Sequence, residues 1–148
     1  MYTVMISEKT RPEARLMNLP KIEDPRGNLT FIEEESHLIF RIKRVYWIYD
    51  VPGGERRGGH AFKDQQEFVV ALSGSFDMVI NNGRKEVRYH LNRSYFGLFV
   101  PNGLWRHMEN FSTNAVVMVL SSTTFSESDY IREFNDYIAY IDDEGDSI

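Results

Sequence analysis

Residues 53–74 bring together side chains that suit proton transfer and the binding of charged groups. In this glycine-rich stretch His60 lies two residues before Phe62 and seven before Glu67. A histidine can take and return a proton near neutral pH, and together with a carboxylate it can also hold a metal ion. The stretch therefore has the composition of a metal site in which an aromatic ring stands where a second histidine would be expected.

The spacing of this stretch resembles the first motif of the cupin superfamily, G-x5-H-x-H-x3–4-E-x6-G. Phe62 takes the place of the second histidine of the motif. The residues that fit it are Gly54, His60, Glu67 and Gly74. The resemblance implies an all-β jelly-roll barrel whose interior carries the site.

A second stretch, 97–110, resembles the second cupin motif in its order and internal spacing. Arg106 stands where that motif normally has a histidine. The residues that fit it are Gly97, Pro101, Gly103 and Asn110. Two linked motifs in the correct order are more specific than either motif alone.

The two motifs together predict that this chain binds no metal and needs no cofactor. In cupins three histidines and one glutamate hold the ion, and here only His60 and Glu67 remain. Phe62 cannot coordinate a metal, and the positive charge of Arg106 repels one. His107 is a poor substitute, because adjacent residues of a strand point to opposite sides of a sheet.

Without a metal, the same residues predict a cavity for an anionic, nucleotide-linked substrate. The predicted lining consists of His60, Glu67 and Arg106, joined by Arg44 and Tyr46, which share a parity on strand 41–51. Arginine binds phosphate in a forked geometry, and Arg57 lies in a glycine-rich loop that can approach a ligand closely. The prediction is that His60 and Tyr46 are catalytic and that Arg44, Arg57, Glu67 and Arg106 bind substrate.

Each of these residues also has a purely structural interpretation. His60 can be a hydrogen-bonded interior histidine, and Arg106 can form a salt bridge with Glu67 rather than contact a ligand. Glu67 can orient His60 or can be a buried acid bonded to the backbone. Structural alternatives also exist for Tyr46 and Phe62 as packing residues, for Arg44 and Arg57 as solvated surface residues, and for Arg132 as part of a docked helix.

From about residue 25 to 137 the chain resembles the sugar 3,4-ketoisomerases, a WxcM-like family within the cupins. The stretches that carry the resemblance are "DPRGNLTFIEE", "FRIKRVYWIYD", "RRGGHAFKDQQEFVVALSGSFDMVINNG", "GLFVPNGLWRHMENFS", "VVMVLSS" and "SDYIREFNDY". The resemblance implies a metal-free homodimer that moves the carbonyl of dTDP-4-keto-6-deoxy-D-glucose from C4 to C3. Such a product feeds the synthesis of amino sugars for surface polysaccharides or natural products.

The family resemblance also implies a mechanism, from which this chain departs at one position. The C3 proton beside the C4 ketone is acidic; a base removes it, an enediol forms, and a proton returns at C4. In the family "HAH" supplies two histidines, of which the first corresponds to His60 and the second to Phe62. His60 must then act alone, or a neighbour such as Tyr46 must help.

Three other functions stay open beside the ketoisomerase. One is epimerisation of a nucleotide-linked ketosugar at a carbon next to the ketone, which needs a similar histidine base. Another is a binding module that holds a nucleotide sugar without turnover, which Phe62 favours. A metal-dependent oxygenase is disfavoured by Phe62 and Arg106.

The elements that must position these residues are mostly short strands. About eight short stretches of strand-forming residues, spaced roughly 8–12 residues apart, predict an antiparallel β-sandwich or β-barrel. The predicted strands are 29–34, 41–51, 67–80 in two pieces, 84–91 after the turn 81–83, 94–101, 104–111 and 115–122. The last element, 126–141, has a helical stripe of apolar residues, with Ser126 and Asp129 as a capping pair, and is predicted to pack outside the barrel. Residues 1–148 are expected to form a single cupin domain.

Strand 67–73 is apolar on both faces, which predicts a homodimer. An antiparallel strand with one solvent-exposed face would alternate apolar and polar residues. The barrel interior covers one face, and a second subunit is a reasonable cover for the other.

Composition narrows the class of partner. The chain has 148 residues, is 42% hydrophobic and carries a net charge of −5, which argues mildly against nucleic acid. It has no cysteine, which fits a cytoplasmic location. No apolar run approaches the roughly 20 residues of a membrane span, and the first residues do not resemble a secretion signal.

Overall fold

The computed structural model describes residues 13–146, with side chains described up to residue 143. The strands are β1 (Arg15–Asn18), β2 (Lys21–Ile22), β3 (Leu29–Thr30), β4 (Arg44–Ile48), β5 (Arg57–Phe62), β6 (Glu67–Ser73), β7 (Phe76–Asn81), β8 (Glu86–Leu91), β9 (Phe96–Val100), β10 (Trp105–Glu109), β11 (Val116–Ser121) and β12 (Tyr130–Ile131). The α-helices are α1 (Glu34–His37) and α2 (Phe134–Asp146), and a 3-10 helix spans Glu127–Asp129. The predicted all-β class with a short C-terminal helix is confirmed.

Two five-stranded antiparallel sheets enclose the core. The first has the order β1-β9-β6-β11-β4 and the second the order β12-β5-β10-β7-β8, while β2 and β3 form a separate pair. The core between the sheets consists of inward-facing apolar residues, among them Val69, Ala71, Met78, Ile80, Met108, Val117 and Val119. Every second residue of a strand faces the interior. At one end of the two sheets, some of these inward positions carry polar side chains in place of apolar ones.

The chain itself covers much of the outer face of the first sheet. Phe68 and Val70 of β6 pack outward against apolar residues that precede β4, including Leu19, Leu38 and Phe40. Farther along β6, Leu72 is 47% exposed. The prediction that both faces of β6 are covered is therefore confirmed at Phe68 and Val70. The cover at these two residues comes from the same chain and not from a second subunit. The homodimer stays a prediction.

The first two predicted strands are shorter than the sequence suggested. Of 29–34, only β3 is a strand, and the following residues form α1, whose first turn is acidic and so favours the start of a helix. The carboxylate of Glu34 accepts the backbone N–H of Ile42 at 2.7 Å, which ties α1 to the chain before β4. Of 41–51, only β4 is a strand.

The prediction for the C-terminal segment was wrong at its beginning. The helix starts at Phe134, and the segment 126–133 instead contains the 3-10 helix and β12. Ser126 makes no side-chain cap hydrogen bond, and the carboxylate of Asp129 accepts the backbone N–H groups of Asp64 and Gln65 at 2.7 and 3.0 Å. These contacts tie the segment to the turn after β5, which overrides its helical pattern.

Helix α2 packs on the outside of the second sheet, as predicted. Tyr137 is fully buried and Ile141 is 9% exposed, and Trp105 of β10 packs against this cluster. The hydroxyl of Tyr137 donates to the carbonyl of Gly103 at 2.9 Å. In the described part of the chain, no helix is both long and apolar enough to span a bilayer.

Candidate active site

The site is built on β5, which the sequence did not predict because its glycines obscure the strand pattern. Arg57, assigned to a loop, is in fact the first residue of this strand. Gly58 has a φ of +77°, and the pairing of β5 with β10 shifts register at this point. This β-bulge puts Arg57 on the same face as His60, although the two are three residues apart.

His60 and Arg106 lie opposite each other on β5 and β10, facing the interior. Nη1 of Arg106 is 3.1 Å from Nε2 of His60 and donates to the carbonyl of Gly58 at 3.1 Å. Because a guanidinium can only donate hydrogen bonds, the imidazole nitrogen that it contacts must carry a lone pair. Nη1 also lies 3.5 Å from Nδ1, so Arg106 favours a neutral His60 without selecting one of its two tautomers.

Behind His60, a fully buried ion pair forms the floor of the site. Nη2 of Arg106 pairs with Oε1 of Glu67, and each side chain is 1% exposed. The hydroxyl of Tyr46 donates to Oε2 of Glu67 at 2.6 Å, and Nε2 of Gln65 donates to the same oxygen at 2.8 Å. Glu67 is thus linked to His60 through Arg106, and this end of the predicted cavity is packed.

These residues do not fit a metal ion. Both carboxylate oxygens of Glu67 are engaged by hydrogen-bond donors, and the guanidinium of Arg106 lies between Glu67 and His60. Within residues 13–143 no group of three or more His, Cys, Asp or Glu side chains is placed to bind one.

Arg44 extends the polar cluster toward the surface. Nη2 of Arg44 donates to Oε1 of Gln65 at 2.7 Å, and its Cζ lies 5.2 Å from the centre of the Tyr46 ring. The Nε atom of Arg44 is buried without a hydrogen-bond partner. The predicted shared parity of Arg44 and Tyr46 is confirmed, because both pair with inward-facing positions of β11.

Three aromatic rings close one side of the site. The rings of His60, Phe62 and Tyr130 are in mutual edge contact, with centroids 4.7–4.9 Å apart. The Cζ of Arg106 lies 5.2 Å from the centre of the Phe62 ring. Tyr130 was missed by sequence reasoning, because the helical pattern of 126–141 hid the two-residue strand that carries it.

The surroundings of His60 and Tyr46 fix their protonation. Burial, and then the positive charges of Arg106 and Arg132, lower the pKa of His60 to about 2, so the imidazole is neutral at physiological pH. Burial and the negative charge of Glu67 raise the pKa of Tyr46 far above its usual value. Burial opposes the charge of Arg106, but Glu67 outweighs it, so the pKa of Arg106 is raised.

The other histidines lie away from this cluster. His107 points to the outer face, as its parity predicted, and its Nε2 is 2.9 Å from Oε1 of Glu109. His90 contacts Asp77 on the same outer face, and His37 accepts the backbone N–H of Glu33. Of the six predicted site residues, five form one connected group, and Arg57 lies exposed at its edge.

Two surface depressions of about 420 Å³ each open elsewhere on the molecule. One is lined by Gly74, Ser75, His90, Asn92, Arg93, Ser112 and Asn114. The other is lined by Trp47, Tyr49, Asp50, Thr113, Asn114, Ala115 and Val116. Neither depression is lined by His60. The polar network around His60 contains more side chains that can accept or donate a proton than either depression does.

Comparisons with known proteins agree on one family. A family model described as FdtA, WxcM-like, C-terminal, matches residues 12–142. The chain is 40% identical over 129 residues to a TDP-4-oxo-6-deoxy-alpha-D-glucose-3,4-oxoisomerase of Aneurinibacillus thermoaerophilus, covering 87% of this chain and 93% of the relative. The fold of this chain is similar to that of a 3,4-ketoisomerase from Helicobacter canadensis, with a TM-score of 0.86 and 34% sequence identity. The match covers 89% of this chain and 99% of the other. The fold is also similar to that of QdtA, a sugar 3,4-ketoisomerase from Thermoanaerobacterium thermosaccharolyticum crystallised with TDP, with a TM-score of 0.86, 33% identity, and coverage of 88% and 96%.

Proposed function

The chain belongs to the FdtA family, and on that premise we propose that it is a TDP-sugar 3,4-ketoisomerase. Its substrate is TDP-4-keto-6-deoxyglucose, whose carbonyl moves from C4 to C3. The observation that carries the proposal is 40% identity to a 3,4-oxoisomerase over 93% of that relative's length. The neutral, partly exposed imidazole of His60 supports it, because moving a carbonyl to the next carbon needs a group that can accept a proton.

We propose that His60 removes the proton from C3 of the bound sugar with its one lone pair, which the bound sugar takes over from Nη1 of Arg106. The electrons of the C3–H bond form the enediolate, and a proton added at C4 leaves the carbonyl at C3. The low pKa keeps His60 unprotonated at working pH, and the negative charge of a bound diphosphate would raise its basicity. Arg106 holds the ring in position, and Glu67 with Tyr46 holds Arg106.

We propose that the arginines at the edge of the site bind the diphosphate. Arg57 is exposed on the same face as His60, and Arg44 has a buried Nε without a partner. Arginine suits this role because its donors match two phosphate oxygens at once. Glu67 and Arg106 are 1% exposed, so their contribution to substrate binding is through the position of His60.

The reaction is tested by incubating the purified chain with TDP-4-keto-6-deoxyglucose in deuterated water. A 3-keto product with deuterium at C4 is expected. Exchange at C3 or C5 without carbonyl migration would instead indicate an epimerase. Binding without exchange would indicate a nucleotide-sugar-binding module, which the burial of Phe62 beside His60 favours as the alternative. His60→Asn should abolish exchange, and unchanged turnover would remove His60 from the mechanism.

We also propose that the chain forms a homodimer through the exposed face of β4 and the end of β6. Trp47 and Tyr49 are 60% and 59% exposed, and Val45 and Leu72 are 45% and 47% exposed on the same side of the first sheet. β4 is an edge strand, and an apolar patch on an edge is commonly covered by a partner.

The dimer is tested by light scattering coupled to size-exclusion chromatography. The native chain is expected at twice its 17.3 kDa mass, and Trp47→Lys at a single mass. Leu29→Lys, at an equally exposed apolar residue on the β2–β3 pair, serves as the control and should stay dimeric. A native chain of single mass would refute the dimer.

We propose a cytoplasmic location as well. TDP-sugars, on which the relatives act, are made from nucleoside triphosphates, which are cytoplasmic metabolites. Fractionation of the source cells tests the location, and recovery of the chain outside the cytoplasm would contradict it.

A further inference from the structure

Tyr130 occupies the side of the site where this chain has a phenylalanine in place of a second histidine. In the pairing of β12 with β5, Tyr130 lies opposite Phe62, so both face the same side as His60. Its ring centre is 4.9 Å from that of His60 and 4.7 Å from that of Phe62. Phe62 itself can neither give nor take a proton, so Tyr130 is the next group on this side that can.

The hydroxyl of Tyr130 is available, unlike that of the other tyrosine in the site. Tyr46 donates its proton to Glu67 at 2.6 Å and is thereby committed to the buried network. Within the described part of the chain, the Tyr130 hydroxyl makes no hydrogen bond, and the residue is partly exposed. A ligand entering beside His60 can therefore receive the Tyr130 proton without breaking an existing bond.

Arg132 packs against the ring of Tyr130 and is itself held in place. The Cζ of Arg132 lies 4.1 Å from the ring centre, and Glu127 holds Arg132 in place through two hydrogen bonds of 2.7 and 2.9 Å. Cations placed before the reaction stabilise the anion that remains when a phenol gives up its proton.

We propose that Tyr130 is the acid that protonates C4 in the reaction, while His60 is the base at C3. This inference rests on the proposed ketoisomerase function. It assigns to a phenol the second acid–base role that Phe62 cannot fill.

The proton balance closes with these two groups. His60 takes the C3 proton, and the C3–H electrons form the enediolate with its negative charge on the C4 oxygen. The proton of the C3 hydroxyl passes to the neighbouring C4 oxygen, which leaves the charge on the C3 oxygen. As the C3 carbonyl forms, C4 takes the proton of the Tyr130 hydroxyl. The protonated His60 then gives its proton to water, and the Tyr130 oxygen takes one from water, so both groups regain their starting state.

The test compares Tyr130→Phe with the native chain and with Tyr95→Phe, a tyrosine outside the site. Three quantities are measured: the rate of 3-keto product formation, deuterium exchange at C3 of recovered substrate in deuterated water, and the dissociation constant of TDP. Tyr130→Phe should lower product formation by about 100-fold or more, the usual loss on removing a general acid. Exchange at C3 and the affinity for TDP should persist, because His60 and the arginines remain. Tyr95→Phe should match the native chain in all three.

Two results would overturn the assignment. One is native product formation by Tyr130→Phe. The other is loss of C3 exchange together with product while TDP still binds, which would make Tyr130 a positioning residue for the base. If the native chain itself neither exchanges nor converts the substrate, the proposed function fails, which is a distinct outcome.

A second measurement needs no variant. Substrate deuterated at C3 is converted by the native chain in ordinary water, and the product is examined at C4. With separate groups at C3 and C4, no deuterium should appear at C4. Transfer of the label from C3 to C4 would mean that one group serves both carbons, and would overturn the role of Tyr130.

Discussion

The two faces of β10 carry two ionic clusters that differ chiefly in their burial. On the inner face Arg106 pairs with Glu67, and each side chain is 1% exposed. On the outer face Arg88 bridges Asp77 and Glu109 while remaining 50% exposed. Both clusters contain histidines, but only in the inner one does a histidine contact a fully buried ion pair.

The difference shows what burial does to an ion pair. In the interior, removing one partner leaves a charge that water cannot reach, so the pair must stay intact. On the surface, water and salt screen the same kind of contact. The inner cluster can therefore control the protonation of His60, whereas the outer one mainly makes the sheet surface polar.

The largest expected effect comes from breaking the inner pair. Glu67→Gln leaves the charge of Arg106 buried without its partner and should lower the free energy of unfolding by about 3–5 kcal/mol. Chemical denaturation measures the change. Glu109→Gln is the matched control on the outer face, and equal losses for the two variants would contradict the comparison.

A smaller effect, about 2 kcal/mol, is expected from mild acid between pH 6.5 and 5. His60 has a pKa of about 2 in the folded chain against 6.5 when unfolded, so its contribution to stability is complete above pH 6.5 and declines as the pH falls toward 2. The loss should approach about 1.4 kcal/mol per pH unit below 6.5. His60→Asn should flatten this part of the profile between pH 6.5 and 5. Parallel profiles for the native chain and the variant would show that His60 is not held neutral.

A still smaller effect is expected on the outer face. Arg88→Met removes the two ion pairs that Arg88 makes and, because the Arg88 side chain is 50% exposed, should change the free energy of unfolding by about 1 kcal/mol or less. The difference should shrink further when denaturation is repeated at about 1 M salt. A loss comparable to that of Glu67→Gln would mean that the outer cluster is structural as well.

The smallest expected effect is a null result in catalysis. Because His60 is already neutral, kcat/KM should show no inflection near pH 6.5 that depends on this residue. A pH–rate profile of the native chain measures it. An inflection of kcat/KM near pH 6.5 would mean that His60 is far more exposed to water in the substrate-free protein than its contacts indicate.

The inner cluster was largely predictable from the sequence. His60, Glu67 and Arg106 were placed together by the spacing of two motifs, and Arg44 and Tyr46 by strand alternation. These signals work because an extended strand repeats every two residues, so parity alone assigns a face.

The parts of the site that the sequence did not predict depend on contacts between segments that are distant in sequence. β12 has only two residues and exists because it pairs with β5, a contact that local propensity does not encode. Gln65 lies in a turn, where no periodicity identifies an inward side chain. The bulge at Gly58 displaces Arg57 from its simple parity, so its position relative to His60 could not be read from spacing.

The bulge at Gly58 also determines how this protein tolerates sequence variation. A Cβ at this position would lie 2.7 Å from Nη1 of Arg106, and the φ of +77° is unfavourable for any other residue. At Gly53, in the same glycine-rich stretch, a Cβ would meet no atom within 4 Å. A saturation library across this stretch should accept many residues at 53 and retain only glycine at 58. Directed evolution toward other sugars can therefore diversify position 53, provided that it retains Gly58, which lies against the guanidinium of Arg106.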